Sequence, residues 1–160
     1  MRRLAPLALL LVLAACGGSG NHGSAAGSPP PNPPVQTLYE ADGWRVLLSA
    51  GKPEVQRLAG TAWKPSPAGQ VTISILSPKP NSTTAPIPQI AAEFDAKARI
   101  VEAGIWLDGI ELPLNSGGGA TRRTFYGAPV SNLPRGRQTV IAYARTARGG
   151  SAVTWSFTVK

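Results

Sequence analysis

Alternation of apolar and polar residues is clearest near the end of the chain, where two runs joined by a short connection predict a β-hairpin. A period of two is the mark of strands that lay one face on a core. The connection, residues 147–150, reads Ala-Arg-Gly-Gly and is expected to supply the positive-φ residues of a hairpin turn. The inward positions are predicted to be Val140, Ala142, Ala144, Val153, Trp155, Phe157 and Val159.

The same alternation recurs upstream, and turn residues separate the runs. The proline-rich stretch 77–88 cannot be a central strand and is interpreted as a crossing loop. With the terminal hairpin there are about seven strands over residues 71–160, a spacing typical of an antiparallel β-sandwich. The upstream runs are residues 71–75, 90–95, 104–107, 110–112 and 123–126, with Ile90, Ala92, Phe94, Ile105 and Leu107 predicted to face inward.

Residues 35–70 predict a small β-rich segment. Runs at 37–40 and 44–48 flank Asp42-Gly43, which is a hairpin signal between apolar runs. The run 54–59 fits a strand or one turn of helix, and a strand is favoured, with residues 61–63 as its continuation. Because three short strands bury too little to be stable alone, we expect this segment to pack on the sandwich.

Charge is distributed unevenly along the chain. The formal net charge is +8, and Arg2 and Arg3 belong to an N-terminal leader, which leaves about +6 on the rest. Every acidic residue lies at or before Glu111, whereas basic residues continue to Lys160. This asymmetry fits either an anionic partner or a solvated surface. No basic run is interleaved with aromatic residues, so nucleic acid is not an expected partner.

The N-terminal leader has the form of a secretion signal. Two arginines precede an apolar run that is shorter than the roughly 20 residues a membrane-spanning helix needs. The run closes with Leu13-Ala14-Ala15-Cys16, which resembles the lipobox of bacterial lipoprotein signal peptides. The alternative is an ordinary signal peptide with an incidental cysteine.

The lipobox resemblance implies that residues 1–15 are a signal peptide and that Cys16 becomes the first mature residue. Its thiol would carry a thioether-linked diacylglycerol, and two or three acyl chains together anchor a protein stably to a membrane. Residues 16–34 are rich in Gly, Ser and Pro and predict a disordered tether with a reach on the order of 40 Å. The only histidine, His22, lies in this tether and is interpreted as incidental. The expected location is the cell envelope, facing the periplasm or the exterior.

Several runs of the C-terminal part resemble the bacterial Ig-like domains of secreted and surface proteins. The resemblance covers about residues 71–160 and implies an Ig-like antiparallel β-sandwich, but it says almost nothing about function. The matching runs are residues 105–109 (Ile-Trp-Leu-Asp-Gly), Tyr126, residues 133–140 and residues 155–159 (Trp-Ser-Phe-Thr-Val).

Three positions depart from that pattern. Gln138 stands where the family usually has histidine, and Thr146 stands where aspartate is frequent. Residues 148–150 read Arg-Gly-Gly in place of the common Ala-Gly-Asn. Since one probable oxygen ligand of a loop calcium is missing, no structural Ca²⁺ is predicted, nor any other metal or cofactor.

Catalytic residues are not predicted, and the chain is not expected to be an enzyme. Glu93 and Asp95 share the outward face of one strand and offer either an acid and base pair or simple surface solvation. Residues 116–119 predict a flexible loop without the Lys-Ser/Thr ending of a phosphate loop.

Strand parity points to one candidate binding face. If Val140, Ala142 and Ala144 face inward, then Trp106, Ile141 and Tyr143 form an outward apolar patch edged by Arg137 and Arg145. One interpretation is a binding face for a polysaccharide or protein, with ring stacking at its centre and charge at its rim. The other is that the preceding segment covers the patch with Trp44, Leu47 or Trp63.

Together these patterns predict a lipid-anchored cell-envelope protein with a binding or structural Ig-like module. The partners expected are the membrane, through lipid on Cys16, and an envelope protein or polysaccharide. One alternative is an accessory factor of an envelope protein assembly. Another is a cell-wall hydrolase, which the missing acid and base residues disfavour.

Overall fold

The computed structural model describes residues 34–160, and these residues form three β-sheets. The predicted signal peptide, the lipid site at Cys16, His22 and nearly all of the predicted tether lie outside the described residues. The first sheet has the order β1-β2-β3-β4 and is a meander of neighbouring antiparallel strands. Its strands are β1 (Gln36–Ala41), β2 (Trp44–Ser49), β3 (Lys52–Ala59) and β4 (Ala62–Pro65).

The remaining strands form a middle sheet and an outer sheet. The middle sheet consists of β6 (Thr83–Thr84), β13 (Gly150–Val159), β12 (Gly136–Arg145), β8 (Glu102–Leu107) and β9 (Ile110–Glu111), in that spatial order. The outer sheet consists of β10 (Asn115–Gly118), β11 (Arg122–Gly127), β7 (Ile90–Ala96) and β5 (Val71–Ser77), also in spatial order.

The middle and outer sheets pack face to face as an Ig-like β-sandwich, as predicted. The alternation in β12 and β13 is confirmed, because Val140, Ala142 and Ala144 lie in the same buried core as Trp155 and Phe157. The outer sheet supplies the other side of this core from β5 and β7. Its buried members there include Val71, Ile90, Ala92, Phe94 and Ala96.

The sandwich has more strands than the predicted seven. All of the predicted runs form strands, and two short ones are added. Residues 116–119, predicted as a flexible loop, mostly belong to β10, which pairs with β11 from Asn115 to Gly118. The proline-rich crossing between β5 and β7 contains β6, which pairs in parallel with the end of β13. Glycine-rich and proline-rich strands escape a pattern search because they lack alternating apolar side chains.

The turn of the terminal hairpin forms where it was predicted, but for another reason. Gly149 and Gly150 do not have positive φ, so that part of the prediction is wrong. They are needed for space instead, because a Cβ atom on Gly149 would lie 2.7 Å from Cγ of Gln70. The Thr146 hydroxyl shapes the turn by accepting from the amides of Arg148 and Gly149 at 3.1 and 3.3 Å.

The first sheet follows from tight hairpins. Asp42 and Gly43, at φ 52° and 73°, connect β1 to β2 as predicted, since positive φ at both central residues suits a two-residue hairpin turn. Residues 54–59 are strand, not helix. Residues 61–63 do not continue that strand, because the chain turns after Ala59 and returns as β4.

The first sheet packs on the face of the middle sheet that points away from the sandwich core. This second core contains Trp44, Val46 and Val55 from the first sheet and Trp106, Ile141 and Tyr143 from the middle sheet. The middle sheet is therefore covered on both faces at this place. Strand β12 reflects this, since every residue from Val140 to Arg145 is buried.

Candidate functional site

The predicted apolar patch exists, but it is not exposed. Trp106, Ile141 and Tyr143 retain 2%, 1% and 0% of their accessible surface. Trp44 is the residue of the preceding segment that covers them, and it is itself 4% exposed. The prediction of a binding face at this patch is therefore wrong, because no partner reaches side chains that are already packed in a core.

The other two residues offered as a cover lie elsewhere. Leu47 is not a member of the second core. Trp63 belongs to the opposite face of the first sheet, where the Arg45 guanidinium stacks at 4.4 Å from its ring centroid. Of the alternatives that the sequence left open, coverage by Trp44 is the one that the structure has.

Gly104 makes room for this packing. It lies two residues before Trp106 on the same face of β8, directly opposite Tyr143. A Cβ atom at Gly104 would lie 2.5 Å from Cη2 of Trp106, so the indole ring occupies the space of the missing side chain. The flat ring can then lie against the sheet while Trp44 closes over it.

Arg145, predicted at the rim of the patch, is buried in an ion pair. Its Nη2 and Nε atoms donate to Oε2 of Glu102 at 2.8 and 3.0 Å. Glu102 is its direct cross-strand neighbour on β8. Asp42 from the first sheet accepts a longer bond at 3.4 Å, and the Trp44 ring centroid lies 5.6 Å from the guanidinium. The arginine therefore ties the first sheet to the middle sheet.

Two tyrosines complete this cluster. The Tyr39 hydroxyl of β1 donates to Glu102, and its ring lies 5.6 Å from that of Tyr143. Burial and this bond to a carboxylate raise the pKa of Tyr39 to about 12. Burial also raises the pKa of Tyr143 well above its usual range. Both phenols are held in the neutral form, so the cluster is structural in character and offers no proton near neutral pH.

Tyr39 should make the stability of the protein fall at alkaline pH. A phenol with a pKa near 10 in the unfolded chain and about 12 in the folded protein stabilises fully below pH ~10. That contribution is lost as the pH rises toward 12, because the unfolded state then releases its proton first. We expect Tyr39→Phe to flatten the fall in the free energy of unfolding over this window, as measured by urea denaturation at increasing pH.

Tyr126→Phe is the matched control for this prediction. Its phenol is 37% exposed on β11, so the same substitution there removes a hydroxyl without removing a bond to Glu102. Equal slopes for the wild type and both variants would show that Tyr39 does not titrate as its surroundings require.

Arg137 does not join the cluster. It lies near the opposite end of β12, is exposed, and donates from Nε and Nη2 to the Ser156 hydroxyl at 3.0 and 2.7 Å.

Glu93, which the sequence offered as a possible acid or base, accepts a hydrogen bond from Arg122 at 2.8 Å. This bond lowers the pKa of the Glu93 carboxyl. An ionised, paired carboxylate does not serve as a general acid.

A groove at one end of the sandwich is a better candidate for a functional site. It lies between the β8–β9 hairpin and the loop that leads into β12, and its volume is about 480 Å³. Ile110 and Val130, on its two sides, are 72% and 91% exposed. Exposed aliphatic side chains that face one concave surface are typical of binding sites. Leu107, Leu112, Leu133, Pro113, Pro129 and Pro134 also line it.

Gln138 lies in this groove and has an unused hydrogen-bonding atom. Its side chain is only 3% exposed, and its Nε2 donates to the carbonyl of Pro134 at 3.0 Å. That bond orients the amide, since the carbonyl can only accept. Its Oε1 is buried and accepts from no donor among residues 34–160. Such an atom costs about 1–3 kcal/mol unless a donor reaches it.

Sequence reasoning noticed Gln138 only as a departure from the Ig-like pattern, and it missed the groove. The groove is built by a two-residue strand and by a loop, residues 128–135, that carries no periodic signal.

Glu102 was also missed, although the alternation of side chains along β8 offered a signal for it. It lies two residues before Gly104 and four before Trp106, on the face that carries Arg145 across the ladder.

Residues 34–160 contain neither a metal-binding cluster nor a membrane-spanning helix. Within residues 34–160, no three His, Cys, Asp or Glu side chains gather where they could hold a metal ion. No helix in this part of the chain has the length and apolar character to cross a membrane.

Solved structures that resemble this chain include immunoglobulin domains of titin. Titin domain M4 in a trigonal crystal form is 12% identical, with 56% of this chain and 93% of that chain covered and a TM-score of 0.38. An anomalous substructure of a titin fragment is 10% identical, with 83% and 86% covered and a TM-score of 0.39. A tandem pair of titin Ig domains is 7% identical, with 81% and 83% covered and a TM-score of 0.36.

No family profile and no curated protein matches the chain. The Ig-like β-sandwich is identified by its own strand order and cores.

Proposed function

We propose that this protein is a lipid-anchored module of the cell envelope that binds another envelope protein through the groove beside β9. The observation that carries the binding role is a groove in which two aliphatic side chains, Ile110 and Val130, remain exposed on either side. A concave, mostly apolar surface is the usual form of a binding site.

A protein partner is favoured over a polysaccharide. Sugar recognition by ring stacking would have used Trp106 and Tyr143, and both are buried. The groove presents aliphatic side chains and prolines, which suit the side chains of a polypeptide better than a sugar face. An accessory role in an envelope protein assembly is compatible with the same groove.

Support for the anchor comes from the sequence. Arg2 and Arg3, the apolar run and Leu13-Ala14-Ala15-Cys16 have the composition of a lipoprotein signal. A tether of residues 16–34, with a reach on the order of 40 Å, would hold the groove away from the membrane surface.

Mass spectrometry of the mature N-terminus tests the anchor. In a bacterium that processes lipoproteins, we expect a mature chain that begins at Cys16 and carries a diacylglycerol thioether. Cys16→Ser should abolish the modification and release the protein from the membrane fraction, while Ser19→Ala, three residues away, should change neither. An unmodified Cys16, or cleavage at another residue, would contradict the proposed anchor.

A further inference from the structure

We propose that the groove beside β9 binds an extended segment of a partner protein in which apolar side chains neighbour a lysine or arginine. This inference rests on the proposed binding function and names the chemistry of the partner.

The first step is the shape of the groove. The β9 strand is the last strand of the middle sheet, so among the described residues its outer edge has no neighbouring strand. Ile110 on this edge and Val130 on the facing loop are both more than 70% exposed. An extended peptide laid beside a sheet edge places alternate side chains into such a groove and keeps its backbone amides available.

The second step is the character of the lining. It contains three leucines and three prolines: Leu107, Leu112, Leu133, Pro113, Pro129 and Pro134. These aliphatic surfaces suit the apolar side chains of a peptide segment.

The third step is charge. The lining includes two carboxylates, Asp108 and Glu111, and no lysine or arginine. The chain has 8 acidic residues against 16 basic ones, so the two lining carboxylates give this groove a negative charge on a chain that is positive overall. The Asp108 carboxylate is fixed in place by the amide of Thr139, which donates to its Oδ1 at 2.8 Å. Complementary charge selects a cationic partner segment and rejects an acidic one.

The test is a titration of the mature chain in detergent micelles, followed by NMR. The probe is a pool of short capped peptides in which Val, Leu and Ile surround two fixed lysines, and a second pool has glutamates in place of the lysines. We expect saturable shifts of the Gln138 side-chain amide and the Ile110 and Val130 methyl groups with the lysine pool alone.

Matched variants locate the binding. Val130→Ser should weaken binding of the lysine pool about tenfold or more, whereas Val101→Ser, at a valine that is 49% exposed outside the groove, should not. Glu111→Lys should weaken it about two- to fivefold, and Glu40→Lys, with the same change of charge on β1, should leave it unchanged.

The outcomes separate this inference from the function on which it rests. If the glutamate pool binds the groove equally well, the groove is a binding site but the inferred partner chemistry is wrong. If neither pool shifts Gln138, Ile110 or Val130, both the inference and the groove as a peptide site are overturned. Acylation of Cys16 is measured separately and affects neither result.

Discussion

Replacing Trp44 with alanine is expected to lower the free energy of unfolding by about 3–5 kcal/mol. Trp44 is 4% exposed and lies in one core with Trp106, Ile141 and Tyr143. From β2, only Val46 and the half-buried Leu48 join it there. Its removal leaves a large cavity between two sheets and also takes away the aromatic face beside Arg145. Urea denaturation followed by circular dichroism measures the loss.

Trp63→Ala is the matched control. This tryptophan lies in the same small sheet but on its outer face, where its main contact is the stacked Arg45. A cation–π contact at such a site contributes about 0.5–1 kcal/mol, so the control should cost far less than Trp44→Ala. Comparable losses for the two variants would mean that the second core does not hold the first sheet on the sandwich.

Most of the sandwich could be predicted from the sequence because its strands carry a physical signal. Trp155 and Phe157 alternate with Ser156 and Thr158, and only one face of such a strand can enter a core. Asp42-Gly43 likewise specified a hairpin, because few residues adopt positive φ at both central positions. These signals are local, so one sequence is enough to interpret them.

The double burial of β12 was one of two alternatives that the sequence left open. Residues 140–144 read Val-Ile-Ala-Tyr-Ala, without a polar residue, and a continuous apolar run is typical of a strand covered on both faces. Parity assigned the two faces correctly, but the existence of a third layer depends on where residues 35–70 fold. The apolar run in β12 indicates that both faces are covered, but which segment covers the second face is a tertiary choice that no local pattern in β12 encodes.

The groove could not be predicted for a different reason. Its walls come from a two-residue strand and a loop. The unpaired oxygen in its lining belongs to a single side-chain amide, that of Gln138. Whether Oε1 of Gln138 is satisfied depends on the distance to the carbonyl of Pro134 and to every other donor nearby. Such distances follow from the completed fold and leave no periodic trace in the sequence.

Replacing Arg145 with methionine should cost about 3 kcal/mol of stability. Removing one partner of a buried ion pair leaves a charge without compensation and typically costs about 3–5 kcal/mol. The lower end applies because the Glu102 side chain is 29% exposed and regains some water, whereas that of Arg145 is 10% exposed. Asp42 contributes little to the expected loss of stability, because its side chain is 80% exposed and its Oδ2 lies 3.4 Å from Nη2 of Arg145.

The outer sheet provides a matched pair for comparison. Arg122 and Glu93 are also 2.8 Å apart, but their side chains are 66% and 27% exposed. Arg122→Met should therefore cost far less than Arg145→Met. Because the two ion pairs have the same N–O distance, the difference between the two methionine variants measures the effect of burial. A loss for Arg145→Met no larger than for Arg122→Met would show that burial of the Arg145–Glu102 pair adds nothing to the stability of the fold.

A double variant separates the ion pair from the packing of the arginine stem. If the cost of Arg145→Met comes from the stranded charge of Glu102, then Glu102→Gln in the same chain should recover part of it, because a neutral amide is less costly to bury. The sum of the two single losses in unfolding free energy should then exceed the loss of the double variant. Such non-additivity is expected of residues in direct contact. Strictly additive losses would instead assign the effect of Arg145 to contacts other than Glu102, such as the Trp44 ring whose centroid lies 5.6 Å from the guanidinium.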